Sequence, residues 1–198
     1  MTICVFGDSV IHASYIKDSW VDLLRLCWEE TIKESVEVYN LGVAGDFSSD
    51  ILSRFEAETQ ARLPTKIIFA VGVNDSGYNY DTNQPLVDEN TFKDNIQKLI
   101  DLSKKYTTDI TFIGLVLGDD RLLKPFPGSF PLIYSYDVKR AKKYDGIIKS
   151  VAEKNSCSHI YLFDKLDFGD FMDGLHPNES GHRKMFEEIK KTIDKSSF

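Results

Sequence analysis

Lys66-Ile67-Ile68-Phe69-Ala70-Val71 is the stretch that decides the fold. Five of its six residues are apolar and consecutive, a pattern that is typical of a parallel strand covered on both faces. Comparable short runs recur along the chain and alternate with longer amphipathic stretches of helical period. We predict strands at residues 3–6, 36–41, 66–71, 110–117 and 159–163, and helices at residues 20–33, 49–63, 91–106, 136–155 and 177–193.

The alternation of strands and helices predicts the fold class. Each strand–helix–strand unit brings two strands together in parallel through a right-handed crossover, so the units form an α/β protein, a three-layer α/β/α sandwich. The 198 residues suit a single domain over residues 1–198, with a core large enough to need no disulfides. In such sheets, ligands bind beyond the carboxyl ends of the strands.

Charge and cysteine content restrict the function classes. The net charge of −7 argues against a nucleic-acid partner and gives no electrostatic reason to bind an anionic membrane. The basic stretch 139–143 is interpreted as a solvated helix face, with an anion or partner contact as the alternative. Cys4, Cys27 and Cys157 form no C-x-x-C pair, so we expect neither a disulfide framework nor a zinc site, and no cofactor.

The chain shows no targeting or spanning segment in its sequence pattern. Its first apolar run has no basic leader, and no apolar stretch is long enough to cross a bilayer. With an odd number of cysteines, this favours a reduced, cytoplasmic setting without integral membrane association. No feature of the sequence indicates an oligomeric state.

Two short motifs carry the residues of a nucleophilic mechanism. Gly7-Asp8-Ser9 follows the first predicted strand, and Asp173-Gly174-Leu175-His176 lies just before the last helix. A serine hydroxyl needs a base to take its proton, and an imidazole needs a carboxylate to orient it. We therefore predict Ser9 as the nucleophile, His176 as the base and Asp173 as the orienting carboxylate.

Each of these residues also has a simpler interpretation when taken alone. Ser9 could be a helix N-cap or a phosphate-loop serine, and a loop histidine is commonly structural. His12 is close enough to Ser9 to be an alternative base, but no carboxylate stands ready to orient it. His159 and His182 are interpreted as structural.

A site for acyl transfer also needs donors for the oxyanion that develops on the carbonyl. Gly45 follows the second strand, and its backbone N–H can approach a ligand closely because it has no side chain. Asn74 follows the third strand and can offer its side-chain NH₂, while the Ser9 N–H completes a set of three donors. The alternatives are an ordinary strand-to-helix turn at Gly45 and local turn hydrogen bonds at Asn74.

Two further aspartates adjoin these motifs. Asp8 and Asp75 are expected to accept backbone N–H bonds and to brace the loops. The alternative is a metal site formed with Asp173 and His176, as in a phosphoesterase. No second histidine–carboxylate cluster supports a two-metal centre, so we predict no metal.

In order and spacing, four blocks resemble those of the SGNH, or GDSL-type, hydrolase family of lipases and esterases: residues 7–9, 40–45, 72–75 and 173–177. The resemblance implies a flavodoxin-like, five-stranded parallel sheet and a carboxylic-ester hydrolase that forms an acyl-enzyme. It also implies a Ser9–His176–Asp173 triad and an oxyanion hole built from Ser9 N–H, Gly45 N–H and Asn74. Val10 stands where the family name has leucine, at an apolar packing position, so little depends on the change. A catalytically silent binding protein is the non-enzymatic alternative.

The expected partner is a small-molecule ester, whose acyl group the sequence leaves open. A carbohydrate O-deacetylase would use the polar and aromatic residues Tyr78, Asn79, Tyr80 and Asn83. A lysophospholipase, or another enzyme for long acyl chains, would use Leu122, Leu123, Phe126 and Phe130. We predict a substrate pocket that includes His12, Tyr78, Leu122, Phe126 and Phe130.

Residues 118–133 interrupt the alternation of strands and helices. This segment contains three prolines and is long for a strand-to-helix loop in a compact domain. Its length and its apolar residues suggest a mobile lid. A rigid, proline-stiffened loop and a dimer contact are the alternatives.

Overall fold

The computed structural model describes residues 1–32, 34–127 and 134–193. Its strands are β1 (Thr2–Gly7), β2 (Glu37–Gly42), β3 (Lys66–Ala70), β4 (Tyr78–Asn79), β5 (Ile110–Ile113), β6 (Tyr134–Ser135) and β7 (Ser158–Ile160). Its helices are α1 (Ser9–His12), α2 (Trp20–Thr31), α3 (Ser48–Arg62), α4 (Glu89–Ser103), α5 (Val138–Lys154) and α6 (Glu179–Ile193). Asp120–Leu122 and Phe168–Asp170 form single 3₁₀ turns.

The five main strands form one parallel sheet in the order β2-β1-β3-β5-β7. This confirms the predicted three-layer α/β/α fold with a flavodoxin-like sheet. The chain leaves β1 for β2 on one side and then crosses to β3 on the other. The carboxyl end of β1 is therefore the switch point at which open α/β sheets bind their ligands.

Side chains of β1 alternate between two apolar layers, as the period of a strand requires. Ile3 and Val5 pack in the layer beneath α2 and α6, whereas Cys4 and Phe6 pack in the layer beneath α3, α4 and α5. The rings of Phe6 and Phe69 stack across neighbouring strands with centroids 5.7 Å apart. Both faces of the inner strands β1, β3 and β5 are thus covered, which explains why these three strands are almost continuously apolar.

The strand predicted at residues 110–117 ends earlier, at Ile113. Leu115 remains buried, but its backbone N–H donates to Asp145 Oδ1 on α5 (2.9 Å) instead of to a neighbouring strand. The same carboxylate accepts a hydrogen bond from His159 Nε2 (3.1 Å). A buried carboxylate therefore replaces the ladder, and apolar pattern alone does not predict where the pairing stops.

Two elements near the carboxyl edge of the sheet were not predicted. The first is the one-turn helix α1. The second is an antiparallel ribbon in which β4 pairs with β6, with Tyr78 opposite Ser135 and Asn79 opposite Tyr134. This ribbon ties the irregular stretch after β3 to the segment that precedes α5, and it brings aromatic residues of that segment to the end of the sheet.

The basic stretch 139–143 lies on α5 and is largely ion-paired. Lys142 contacts Asp164 (3.6 Å) and Lys143 contacts Glu89 (2.5 Å), in line with a solvated helix face. Within the described ranges, no helix combines the length and the apolar character needed to cross a membrane.

Candidate active site

Ser9 is the first residue of α1 and lies directly beyond the carboxyl end of β1. The turn is set by Asp8, whose Oδ1 accepts the backbone N–H of Val10 (3.0 Å) as the N-cap of the helix. Gly7 precedes it in a tight position, where a Cβ atom would lie 2.4 Å from the carbonyl oxygen of Ala70. A cap and a glycine therefore turn the strand sharply into a helix with Ser9 at the bend.

Ser9 lies in a continuous hydrogen-bonded chain with His176 and Asp173. Ser9 Oγ is 3.0 Å from His176 Nε2, and His176 Nδ1 is 2.7 Å from Asp173 Oδ2. An ionised carboxylate can only accept a hydrogen bond, so Nδ1 carries a proton, and in the neutral imidazole Nε2 then accepts from the serine hydroxyl. The structure thus brings together the three residues predicted as nucleophile, base and orienting group.

Hydrogen bonds keep Asp173 ionised. Partial burial raises the pKa of this carboxyl, but the bond from the His176 ring and the backbone N–H groups of His176 and Leu175 outweigh it. The pKa therefore falls from 3.8 to about 2. Asp173 Oδ1 accepts both backbone bonds, at 2.9 Å from Leu175 and 2.8 Å from His176.

The loop that carries Asp173 and His176, residues 172–177, is anchored on both sides. Met172 N–H donates to His176 O (2.9 Å), and Gly174 O accepts the N–H of Gly118 (2.8 Å). Gly174 has φ +89°, and a Cβ there would lie 2.8 Å from the carbonyl oxygen of Asp119. The second residue of the motif must therefore be glycine for both conformational and steric reasons.

Ser9, Gly45 and Asn74, the three residues predicted to supply oxyanion donors, line one cavity with His176. Among the described residues, no acceptor pairs with the backbone N–H of Ser9 or with that of Gly45. Gly45 has φ +86°, yet a Cβ there would contact nothing within 4 Å. Within the protein itself, the requirement for glycine at this position is thus conformational.

Asn74 is buried beside these donors and uses part of its amide within the protein. Its Nδ2 donates to Asp46 O (3.0 Å), and its Oδ1 accepts from Tyr136 Oη (3.3 Å). Because an NH₂ group has two protons, one N–H of Asn74 remains for a ligand.

Two polar residues of α3, Ser48 and Arg54, hold the loop that contains Gly45. Asp75 accepts both the backbone N–H and the hydroxyl of Ser48, the latter at 2.5 Å. Arg54 donates from Nε to Asp46 Oδ2 (2.9 Å) and from Nη2 to Leu41 O (2.8 Å). These roles of Ser48 and Arg54 were not predicted, because no local pattern distinguishes the two residues from other polar residues of an amphipathic helix.

Asp8 and Asp75 both accept hydrogen bonds from backbone N–H groups, and burial is the largest influence on the pKa of each carboxyl. Desolvation raises the pKa of Asp8 to about 7, against the lowering effect of the Val10 N–H. It raises the pKa of Asp75 to about 6, against the bonds from Ser48. No set of three or more potential metal ligands lies together in the part of the chain that the structure describes.

Tyr15 and His182 lie behind the imidazole of His176. The Tyr15 ring packs edge-on against it, with centroids 5.3 Å apart. His182 Nδ1 accepts the N–H of Trp20, so its Nε2 donates to Tyr15 Oη, both at 3.3 Å. Burial lowers the pKa of His182 to about 4 and keeps it neutral at physiological pH. Tyr15 was not predicted, since it belongs to no motif.

The cavity over Ser9 has a volume of about 450 Å³ and a largely aromatic wall. Among the described residues that line it, His176 is the only histidine, and none is a lysine, an arginine, an aspartate or a glutamate. Its lining residues are Ser9, Ala44, Gly45, Phe47, Asn74, Phe126, Tyr134, Tyr136, Leu175 and His176.

Of the predicted pocket residues, Phe126 lines this cavity and three others do not. His12 is exposed at the end of α1, and Leu122 is 54% exposed on its 3₁₀ turn. Tyr78 is buried in the ribbon, with the Arg140 guanidinium 4.4 Å above its ring. Phe130 lies outside the described residues, as do residues 128–133 of the segment interpreted as a lid. In the described part, Leu123 is fully buried.

Comparison with known proteins adds a family and a fold. The model of the GDSL-like lipase/acylhydrolase family matches residues 5–184. A search of curated proteins found no match.

Several solved structures are similar over nearly their whole length. A lipase/acylhydrolase from Enterococcus faecalis has 20% sequence identity and a TM-score of 0.78, covering 98% of this chain and 96% of its own. An acetylxylan esterase from Geobacillus stearothermophilus has 15% identity and a TM-score of 0.75, covering 97% and 93%. An α/β hydrolase from the metagenome of Lake Arreo, Spain, has 15% identity and a TM-score of 0.77, covering 96% and 93%. At these identities the likeness establishes a shared fold.

Proposed function

Because this chain belongs to the GDSL-like lipase/acylhydrolase family, and so to the hydrolases of esters, we propose that it cleaves carboxylic esters through an acyl-enzyme on Ser9. The observation that carries the proposal is the unbroken hydrogen-bonded chain from Ser9 through His176 to Asp173. Ser9 and His176 line the same cavity as Gly45, which offers a backbone N–H, and Asn74, which offers its side-chain amide.

In the acylation step, His176 Nε2 takes the hydroxyl proton as Ser9 Oγ attacks the ester carbonyl carbon. The carbonyl oxygen becomes an oxyanion and receives hydrogen bonds from Ser9 N–H, Gly45 N–H and Asn74 Nδ2. The imidazolium that forms is stabilised by Asp173, whose pKa of about 2 keeps it ionised across the neutral range.

Collapse of the tetrahedral intermediate breaks the bond to the alcohol oxygen. His176 gives its proton to that oxygen, and the alcohol leaves. A water molecule then attacks the acyl-enzyme, with His176 again accepting a proton, and the carboxylic acid is released as Ser9 regains its own. One ester and one water thus become one alcohol and one acid.

The Ser9→Ala variant tests this proposal. It is expected to abolish turnover of p-nitrophenyl acetate and butyrate while leaving the melting temperature unchanged. A serine-directed fluorophosphonate should label the wild type but not this variant. Ser53→Ala, at an exposed serine on α3 whose hydroxyl donates to Asp50 O, is the matched control and should keep both activities.

Two results would count against the proposal. Near-wild-type turnover by Ser9→Ala would exclude Ser9 as the nucleophile. If folded wild-type protein neither turned over esters nor reacted with the fluorophosphonate, a non-catalytic binding protein would be favoured.

The cavity wall favours a neutral ester, and a sugar acetate is the second candidate substrate. Phe126, Tyr134 and Tyr136 offer flat aromatic faces, which suit a carbohydrate ring. The solved acetylxylan esterase shares this fold. A series of p-nitrophenyl esters from acetyl to octanoyl, together with acetylated xylose and a lysophospholipid, separates the possibilities. A preference for acetyl supports the deacetylase, and a preference for octanoyl or the lysophospholipid supports a lipase-like enzyme.

A further inference from the structure

The orientation of the Asn74 amide is dictated by its neighbours. The backbone carbonyl of Asp46 can only accept a hydrogen bond, so the group that faces it at 3.0 Å must be the NH₂. The carbonyl oxygen of the amide then lies on the other side and needs a donor, because Asn74 is only 6% exposed. A buried carbonyl oxygen without a donor is destabilising.

Tyr136 provides that donor. Its hydroxyl lies 3.3 Å from Asn74 Oδ1, and its side chain is buried. Desolvation raises the pKa of this phenol, so the hydroxyl keeps its proton throughout the working range of a histidine base. Since the tyrosine comes from the segment before α5, it reaches Asn74 from outside all four sequence blocks.

The phenol ring of Tyr136 is itself held in place. Its backbone N–H donates to Leu123 O (3.1 Å), and Leu123 is fully buried. The Phe126 ring packs edge-on against it, with centroids 5.7 Å apart and planes at 82°. The hydroxyl therefore approaches Asn74 from a fixed direction, before any ligand enters the cavity.

We propose that Tyr136 is a positioning residue for catalysis, which fixes the Asn74 amide so that its second N–H points at the oxyanion. The role rests on the proposed esterase function. With one anchor, at Asp46, the amide can pivot about that bond, whereas a second anchor at Oδ1 fixes its plane. Donation to Oδ1 also polarises the amide and makes the remaining N–H a stronger donor.

This role has a kinetic signature. The oxyanion carries full charge only near the transition state, so a misplaced donor lowers kcat and leaves KM nearly unchanged. The effect of Tyr136 must also disappear when Asn74 is absent, because the tyrosine acts only through that amide. A tyrosine that merely stabilised the fold would show neither property.

The experiment is a double-mutant cycle of Tyr136→Phe and Asn74→Ala, run where circular dichroism shows all variants folded. Asn74→Ala should lower kcat by roughly 10²–10³, as loss of an oxyanion donor does. Tyr136→Phe should lower kcat by about 10-fold in the wild type and by less than about twofold in the Asn74→Ala background. Tyr144→Phe is the matched control, because it removes a hydroxyl that bonds to Val87 O outside the cavity.

A boronic acid that forms a tetrahedral adduct on serine provides a second measurement, and its Kd should rise in step with the loss of kcat. Unchanged kcat in Tyr136→Phe, a change confined to KM, or an equal loss in both backgrounds would overturn the positioning role. These outcomes are distinct from failure of the proposed function, in which the wild type itself shows no turnover that depends on Ser9.

Discussion

The Ser9 turn and the loop of residues 172–177 each carry an aspartate at the same edge of the sheet, but the two carboxyls differ in charge behaviour. Asp173 receives three hydrogen bonds, and its pKa falls to about 2. Asp8 receives one, from Val10, and burial raises its pKa to about 7. The balance between burial and hydrogen bonding decides which carboxyl is held as the anion: burial dominates at Asp8, whereas at the partly buried Asp173 the bond from His176 and the two backbone bonds prevail.

The comparison bears on the proposed mechanism. Stabilisation of an imidazolium needs a permanent negative charge beside Nδ1, and Asp173 has the donors to maintain one. Asp8 instead uses its oxygen to cap α1 and so shapes the turn that presents Ser9. The two aspartates of the motifs therefore have different tasks, one electrostatic and one conformational.

The largest expected effect is that of Asp173→Asn, which removes the charge but keeps the shape. It should lower kcat by about 10⁴-fold, because an amide stabilises neither the imidazolium nor the correct tautomer of His176. Steady-state kinetics with p-nitrophenyl acetate measure it, with Asp164→Asn, at an exposed carboxylate, as the control. A loss below tenfold would mean that Asp173 is not the orienting group.

The second prediction concerns Asp8→Asn and stability against pH. The folded pKa of about 7 lies above the ordinary value of 3.8, so folding favours the protonated carboxyl. This stabilisation is complete below pH 3.8 and is lost as the pH rises through 7. The variant should therefore gain stability relative to the wild type between pH 4 and pH 8, by up to about 4 kcal/mol.

Urea unfolding at a series of pH values tests this prediction. Asp81→Asn, at an exposed residue in the loop after β4, is the control and should differ from the wild type by the same amount at every pH. If the difference between Asp8→Asn and the wild type were also independent of pH, Asp8 would not be held protonated by burial.

The smallest expected effects are those of alanine substitutions at two glycines, Gly45 and Gly174. Gly45→Ala should lower the free energy of unfolding by about 1 kcal/mol, since φ +86° disfavours a side chain while the space is open. Gly174→Ala should lower it further, because its Cβ also meets the carbonyl oxygen of Asp119. Urea unfolding at one pH measures both losses, and equal losses would show that the contact with Asp119 relaxes freely.

How well each structural feature could be predicted depends on how far apart in sequence its interacting residues lie. β3 could be predicted because burial on both faces leaves a mark on every residue of a strand. Local devices, such as the Asp8 cap and the Asp173–His176 spacing, are equally visible because their partners lie within three residues. The sheet edge then brings the separate motifs together.

What could not be predicted depends on contacts between distant segments. Tyr136 reaches Asn74 across 62 residues of sequence, and the Asp145 carboxylate that ends β5 comes from 30 residues beyond Leu115. Neither residue type is unusual at its position, so nothing local marks the role. The same reason explains the misplaced pocket residues, since the wall depends on a ribbon whose strands have two residues each.

Ser9 and His176 are separated by 167 positions in the chain, yet they share one hydrogen bond. In the proposed mechanism, the nucleophile therefore meets its base only after residue 176 has been synthesised. In refolding experiments, the return of fluorophosphonate reactivity is therefore expected to report this long-range contact, whereas circular dichroism reports the helices and strands.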